Sequence, residues 1–325
     1  MDILRHMGLQ PFLAWPHPPD NLRPSHIARA LGVTPETVKE RVSRMEADGV
    51  ISGYEIYPNL RHLGVHATTY HFRVGEGRPK EQGLADVKNV EGVVGVFDYI
   101  GPTVCVDLAY RHPKELERKV GLVARLLDAQ ALPHPCFDYA PPEVARALTN
   151  LDWRIIQALR GQARRRPEDV ARGLGVSART VRRRIERLAA EGSIDIVPRL
   201  DTSRISGAVL YELLVTLEED LPADRLPARF ERLCRGALCS AWPMPERARR
   251  CATLLLLARS VSDIERMRRE AESTPGVVAV EVLIPAGSVG RPEWIDEAIE
   301  ARIAESAPAK APTATARAAP GEDAA

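Results

Sequence analysis

The chain has 325 residues, of which 45% are hydrophobic and 27% are charged, and its formal net charge is +1 at pH 7. This length predicts two or more domains, and the composition is that of an ordinary globular protein. The near-zero net charge excludes a uniformly basic protein, so any affinity for nucleic acid has to come from a local basic patch. No apolar run reaches the roughly 18 residues of a membrane span, and the N-terminus lacks the pattern of a signal peptide, which together favour a cytoplasmic protein.

Cysteine and histidine spacing gives no sign of a metal or redox site. The five cysteines are odd in number and include no C-x-x-C pair, which argues against a disulfide framework and predicts buried, reduced thiols. The eight histidines are scattered without H-x-x-x-H or HExxH spacing, and no nucleophile elbow occurs. The sequence therefore predicts no metal, no cofactor and no catalytic residue, and we do not expect an enzyme.

The N-terminal part of the chain carries a helix-turn-helix pattern. The stretch "SHIARALGVTPETVKERVSRMEADGVI" predicts a short helix, a turn at Gly32, and a second helix that begins after the N-cap Thr34. The strand-like run "VISGYEIYP" follows as a wing. We therefore predict a winged helix-turn-helix domain over 1–64, with a degenerate opening helix because "PFLAWPHPPD" is broken by proline.

Residues 65–148 show a different order of elements. The strand-like run "VHATTYHFRV" is followed by a helix, two further strands, the helix "PKELERKVGLVARLLDA" and a weak strand near "CFDYA". The order βαββαβ is that of a ferredoxin-like unit. Because helices cover only one face of such a sheet, its other face has to pack against something else.

The second half of the chain repeats this organisation at a constant offset of 143 residues. The matches run without a gap from Arg23 and Arg166 to Gly64 and Gly207. They predict a second winged helix-turn-helix at 149–207. A second ferredoxin-like domain at 208–290 is predicted from the order of its runs, which are the strand "AVLYELLVTLE", the helix "ADRLPARFERLC", the strands "ALCSAW" and "CATLLLLA", the helix "SVSDIERMRREAEST" and the strand "VVAVEVLI". A C-terminal helix at 291–306 and a disordered, alanine- and proline-rich tail at 307–325 complete the chain.

The repeat predicts an internal duplication and an α+β fold. Two winged helix-turn-helix domains alternate with two ferredoxin-like βαββαβ domains. Each half offers the other an uncovered sheet face, and the short tether raises their effective concentration to roughly the millimolar range. We therefore expect an intramolecular pseudo-dimer, which remains able to assemble further.

The two copies differ sharply in charge on their second helix. In copy two the apolar face comprises Val181, Ile185 and Leu188, so the opposite side points away from the core at about 100° per residue. The DNA-binding candidates of this copy are Ser177, Arg179, Thr180, Arg182, Arg183 and Arg187. Those of copy one, where Glu36 and Glu40 interrupt the basic residues, are Thr34, Thr37, Lys39 and Arg44. Arginine suits this role because its planar fork binds guanine edges or phosphate bidentately.

Three stretches resemble the Lrp/AsnC, or feast/famine, family of transcriptional regulators. They are "LDWRIIQALRGQARRRPEDVARGLGVSARTVRRRIERLAAEGSI", "SHIARALGVTPETVKERVSRMEADGVISGYEIYPNLRHLG" and "VEGVVGVFDYIGPTVCVDLAY". The resemblance implies sequence-specific binding of double-stranded DNA and transcription regulation. It also implies a small-molecule effector site, for which Gly101 is the candidate residue because the family's glycine between the middle strands survives there.

One alternative belongs to a different functional class. The fused sirohaem decarboxylases resemble the same family in both of their folds and are of similar length. Those enzymes carry histidine- and tyrosine-bearing motifs around the middle strands, whereas "LCSAWPMPERARRCATLLLLA" contains neither residue. The arginine-rich second helix also favours DNA, so the regulator is the first hypothesis and the decarboxylase-like enzyme is the alternative.

Overall fold

The computed structural model describes residues 2–7, 22–132, 137–139, 143–201, 204–218, 237–241, 251–290 and 292–306. The tail predicted to be disordered at 307–325 lies outside the described residues, as does the arginine-bearing stretch "PMPERARR". Within the described part, no helix is long and apolar enough to cross a membrane.

Two helix-turn-helix segments form where the sequence predicts them. In both, a glycine in the left-handed backbone conformation ends one helix, and a residue whose side-chain hydroxyl caps the N-terminus begins the next. Gly32 and Gly175 have φ values of +64° and +68°, and glycine adopts this conformation without the steric cost of a Cβ. Thr34 Oγ1 accepts a hydrogen bond from the Thr37 amide at 3.2 Å. The elements of the first segment are α1 Asp2–Met7, α2 Pro24–Leu31, α3 Pro35–Ala47 and β1 Ile51–Pro58.

The second segment is the more complete of the two. Its opening helix has ten residues and a full capping box, in which Thr149 and Asp152 satisfy each other's backbone amides. Ser177 Oγ accepts from the Thr180 amide at 3.1 Å, as an N-cap does. The elements are α7 Asn150–Leu159, α8 Pro167–Leu174, α9 Ala178–Ala190 and β7 Ile194–Leu200.

A six-stranded antiparallel sheet follows the first segment. Its order is β12-β3-β4-β2-β5, where β12 is Pro285–Gly290 from the second half of the chain, and β6 also pairs with β2. Two helices pack against it around a core that includes Phe72, Val106 and Leu127. The short helix α4 Leu60–Leu63 precedes the sheet, and the two helices that pack on the sheet are α5 Lys80–Val87 and α6 Pro113–Leu127. The strands from this half are β2 His66–Val74, β3 Val93–Tyr99, β4 Thr103–Tyr110, β5 Ala129–Ala131 and β6 Phe137–Tyr139.

The second sheet has four antiparallel strands in the order β11-β8-β10-β9. Its helix α10, Val261–Glu272, packs with Ile264 and Ala271 on a core that includes Leu213 and Leu254. The strands are β8 Val209–Leu217, β9 Ala237–Ala241, β10 Cys251–Ala258 and β11 Val277–Leu283. The helix predicted at "ADRLPARFERLC" lies outside the described residues. The mixed α/β architecture with antiparallel sheets agrees with the expected fold class, while the ferredoxin-like assignment and the tandem duplication stay predictions.

Three contacts join the two halves. Strand β1 pairs with β7 in antiparallel register from Ile51 opposite Leu200 to Pro58 opposite Ile194. One hydrophobic core then runs through both helix-turn-helix segments. The C-terminal helix α11, Pro292–Glu305, buries Ile295 and Ile299 in that same core.

The third contact between the halves is the pairing of strand β12 with β3, and it differs from the expected organisation. The sequence places 285–290 at the end of the second ferredoxin-like unit, but these residues form β12, Pro285–Gly290, and pair with β3 of the first sheet. The reason is the free edge of β3, whose backbone groups need partners. The Ile100 amide also donates to the Ile284 carbonyl at 2.9 Å, so the crossing begins just before β12.

His62 predicts a pH dependence of stability. Burial, and next the nearby Arg146 charge, lower the pKa of His62 from 6.5 to about 4 in the folded protein. The ring lies edge-on to Trp153 at a centroid distance of 6.2 Å. Between these two pKa values the unfolded chain binds more protons than the folded protein, so the free energy of unfolding falls as pH falls from 6.5 towards 4.

We expect His62→Phe to flatten this dependence, because phenylalanine keeps a ring beside Trp153 and takes up no proton. Urea unfolding at several pH values above 4.5 measures the change while aspartate and glutamate remain mostly ionised in the unfolded chain. An equal slope in the variant and the wild type would contradict the role of His62.

Candidate nucleic-acid interface

Helix α9 presents a strongly basic surface. It contains five arginines and one glutamate, a net charge of +4. Arg179, Arg182 and Arg183 are exposed, as the helical spacing predicts, whereas Val181 and Leu188 are buried. Arg182 forms an exposed pair with Glu168 at 3.3 Å. Arg179 and Arg183 make no ion pair or hydrogen bond with any residue that the structure describes.

Two other arginines of α9 are turned towards the protein. Asp152, near the start of α7, is fully buried, and its carboxylate binds Arg184 at 2.7 Å and Arg187 at 2.8 Å. Its second oxygen accepts hydrogen bonds from the amide and hydroxyl of Thr149. The Thr149 hydrogen bonds and the Arg184 charge outweigh burial and hold the pKa of Asp152 below its usual value. This carboxylate therefore fixes α9 against α7.

The corresponding helix of the first segment is electrically balanced. Helix α3 contains three basic and three acidic residues, a net charge of zero. Four of its charges pair within the helix, since Lys39 lies 4.0 Å from Glu36 and Arg44 lies 3.0 Å from Glu40, while Glu46 pairs with Arg164. Exposed pairs of this kind are worth about 0.5 kcal/mol or less, so either partner is able to exchange for another charge.

The candidate effector turn lies between β3 and β4. Gly101 has a φ of +92°, and the space where a Cβ would stand holds no atom within 4 Å. Lys80 Nζ donates to the Gly101 carbonyl at 2.7 Å and to the Tyr99 carbonyl at 2.6 Å. Gly101 therefore permits a left-handed turn with open space beside it, and the two hydrogen bonds from Lys80 stabilise that turn.

A buried polar cluster lies where the two larger sheets meet. Glu212 of β8 accepts a hydrogen bond from the Tyr99 hydroxyl of β3, and its carboxylate lies 3.2 Å from His71 Nε2 of β2. Burial, and next the Glu212 charge, raise the pKa of Tyr99 well above its usual value. Nearby on the first sheet, Thr69 donates to Asp107 at 2.6 Å. The described residues contain no group of three or more His, Cys, Asp or Glu arranged to hold a metal.

Sequence reasoning missed this cluster. The available signal was a charge inside an apolar strand, because Glu212 interrupts the run "VLYELLVTL". A charge in such a run predicts a buried partner, since an unpaired buried carboxylate is costly. The partners themselves come from strands more than 100 residues away, and spacing along the chain gives no information about them.

The helix-turn-helix and the whole chain match different known proteins. Residues 148–189 match the family model of the AsnC-type helix-turn-helix domain. A search of curated proteins finds no match. Two solved structures of siroheme decarboxylase NirDL share the fold. One, in co-complex with an iron-uroporphyrin III analogue, is 16% identical with a TM-score of 0.54 and covers 87% of this chain and 92% of its own.

The second NirDL structure is 17% identical with a TM-score of 0.52, and the match covers 93% of this chain and 98% of that one. A structure of E. coli AsnC is 20% identical with a TM-score of 0.34 and covers 44% of this chain and 94% of its own. The fold likeness to NirDL thus extends over most of the chain.

These comparisons correct one expectation. The sequence predicts that the chain is not an enzyme, and that prediction is wrong, because the solved structures that share the fold over most of its length are those of a decarboxylase. The prediction rested on residue spacing along the chain and on missing motifs near the middle strands of the second half. It did not take into account polar groups such as His71 and Tyr99, which the first half supplies at the junction of the sheets.

Asp152 predicts a large stability effect. Asp152→Asn keeps the shape of the side chain but removes the charge that two half-buried arginines share. We expect unfolding to become easier by about 3 kcal/mol, as for other buried pairs that lose one partner. Urea denaturation of the variant measures the loss.

The matched control is Asp169→Asn. Asp169 pairs with Arg172 at 3.2 Å on the surface of the neighbouring helix α8. We expect this exposed pair to contribute less than about 1 kcal/mol. Similar losses in the two variants would contradict the role assigned to the buried carboxylate.

Proposed function

We propose that the chain is a sequence-specific regulator of transcription that binds double-stranded DNA through its helix-turn-helix segments. The observation that carries this proposal is the exposed basic face of α9 within the AsnC-type match at 148–189. Arg179 and Arg183 have no partner among the described residues, so they are available to bind phosphate or guanine without breaking an existing contact.

The contacts with Asp152 divide the arginines of α9 into two roles. Arg179, Arg182 and Arg183 are the proposed DNA-contacting residues, together with Ser177 and Thr180 at the start of the helix. Arg187 was a DNA-binding candidate from the sequence, but its guanidinium lies 2.8 Å from the Asp152 carboxylate. We therefore assign it to holding α9 in place.

The first segment is the weaker proposed reader. Thr34, Thr37, Lys39 and Arg44 are its DNA-binding candidates, yet the last two already pair with glutamates. Glu36 and Glu40 repel phosphate, although a glutamate is able to accept a hydrogen bond from cytosine. The preferred DNA site is therefore asymmetric, with most of the affinity supplied by α9.

One chain supplies both readers in this proposal. We assign the two sheets to the two ferredoxin-like domains, at 65–148 and 208–290, of an intramolecular pseudo-dimer. Support comes from the contact of Tyr99 and His71 with Glu212, which joins one sheet to the other. The open space beside Gly101 supports a small-molecule effector at that turn.

A second candidate function is enzymatic action on a tetrapyrrole. It is favoured by the likeness of the fold to siroheme decarboxylase NirDL over most of the chain. The buried cluster adds residues with suitable chemistry, because Tyr99 and His71 both carry groups able to donate a proton beside the Glu212 carboxylate. The proposed DNA-contacting residues lie on other elements, so separate substitutions are able to test the two functions.

For DNA binding, we expect Arg183→Glu to weaken binding to the best natural site by about 1–3 kcal/mol if the residue contacts a guanine. Glu40→Ala should change the affinity for DNA much less, because Glu40 repels phosphate and supplies no large attraction. A titration at fixed salt measures both, and Arg118→Glu on helix α6 of the first sheet controls for the change in net charge. Equal losses from all three variants would show that the charge contrast has no bearing on DNA reading.

For the second candidate, we expect sirohaem to change its visible absorption spectrum on mixing with the purified protein and to lose carboxylate groups as carbon dioxide on incubation. Mass spectrometry of the tetrapyrrole measures the loss. Tyr99→Phe should slow it, because the hydroxyl that donates to Glu212 is removed, whereas Arg183→Glu should leave it unchanged. An unaltered spectrum and an intact tetrapyrrole would exclude this function.

A further inference from the structure

A half-exposed arginine ties the second helix-turn-helix to the DNA-reading helix of the first. The guanidinium carbon of Arg164, which lies between α7 and α8, stands 3.6 Å from the centroid of the Tyr54 ring. Its Nη1 binds Glu46 Oε1 at 2.9 Å, and the Tyr54 hydroxyl donates to the same oxygen at 2.7 Å. Glu46 belongs to the last turn of α3, so the contact reaches directly from one segment to the reading helix of the other.

A buried arginine makes a second tie close by. Arg160, at the end of α7, is 8% exposed in its side chain and binds Glu55 of β1 at 2.8 Å. It also donates to the Ile56 carbonyl at 2.6 Å and to Asp296 of α11 at 2.5 Å. The Gly161 amide donates to the same Glu55 oxygen at 2.9 Å. The end of α7 is therefore held on β1 by charged groups as well as by the hydrophobic core.

The Arg164 tie has no counterpart on the other side of the two-stranded sheet. At the offset of 143 residues, Glu46 corresponds to Ala189 and Tyr54 corresponds to Val197. Neither of these side chains is able to accept a hydrogen bond or stack with a guanidinium. A single substitution at Arg164 therefore tests the whole of this tie.

We infer that Arg164, through Tyr54 and Glu46, narrows the range of orientations of α3 relative to α9 that the paired strands and the shared core still permit, and so sharpens the half-site spacing that the chain accepts. This inference rests on the proposed DNA-binding function. The DNA helix makes one turn in about 10–10.5 base pairs, so a change of a few base pairs in the spacing moves one half-site to another face of the duplex. Readers held in one orientation accept one spacing, whereas loosened readers accept several.

The first test is a spacing series. The best natural site is altered by inserting or deleting one to five base pairs between its two halves. We expect the wild type to lose roughly tenfold in affinity when the spacing changes. This loss is smaller than the loss expected for two strong linked readers, because copy one is the weaker reader. Arg164→Ala should bind the natural spacing nearly as well but discriminate less between spacings.

The matched control is Arg172→Ala, which removes an exposed arginine of the same segment that pairs only with Asp169 in α8. It should keep the spacing preference of the wild type. If the wild type binds DNA with no spacing preference, or if Arg164→Ala keeps the full preference, the inference is wrong.

The second test needs no DNA and so separates this inference from the proposed function. Spin labels are attached through an unnatural ketone side chain at positions 43 and 186, both exposed on the reading helices. Pulsed dipolar spectroscopy should give one narrow distance distribution in the wild type and a broader one in Arg164→Ala. Failure to bind DNA at any spacing would overturn the DNA proposal, whereas an unchanged distribution in the variant would overturn the tie.

Discussion

The antiparallel pairing of β1 with β7 is the constraint on which the rest of the structure depends. Each strand follows directly from a helix-turn-helix, and each is short, so neither forms a stable sheet alone. Their pairing places the two segments on one shared core, which α11 then completes with Ile295 and Ile299. Further contacts across this junction include Asn59, whose side chain donates to the Gly192 carbonyl at 2.9 Å. The halves of the chain thereby form one unit.

Within that unit, burial determines what each charge is able to do. Asp152 is buried and binds two arginines of α9, and these contacts fix the position of the helix. The remaining arginines of that helix face solvent, where an anionic partner is able to reach them. On α3 the same surface is neutralised by its own glutamates. The exposed faces of the two helices therefore differ in charge, with a net charge of +4 on α9 and of zero on α3.

Local signals in the sequence predicted the elements well, because their causes are local. Gly32, Thr34, Gly175 and Ser177 act within one helical turn, and the structure shows the expected caps at all four. Long-range contacts were not predictable in this way. The crossing of β12 to β3 depends on a free sheet edge, and the approach of His71 to Glu212 depends on how two sheets meet. The exclusion of an enzyme failed for the same reason, since motifs and spacing along the chain do not show which side chains meet at the junction of the sheets.

The central claim is that the chain reads DNA unequally with two linked segments, of which α9 is the stronger. A hydroxyl-radical footprint of the full chain on a site recovered from cells tests it most directly. The account predicts an asymmetric footprint, with strong protection over one half-site and weak protection over the other, because a helix of net charge +4 faces one and a neutral helix faces the other. Two equally protected half-sites, or no protected DNA at all, would contradict it.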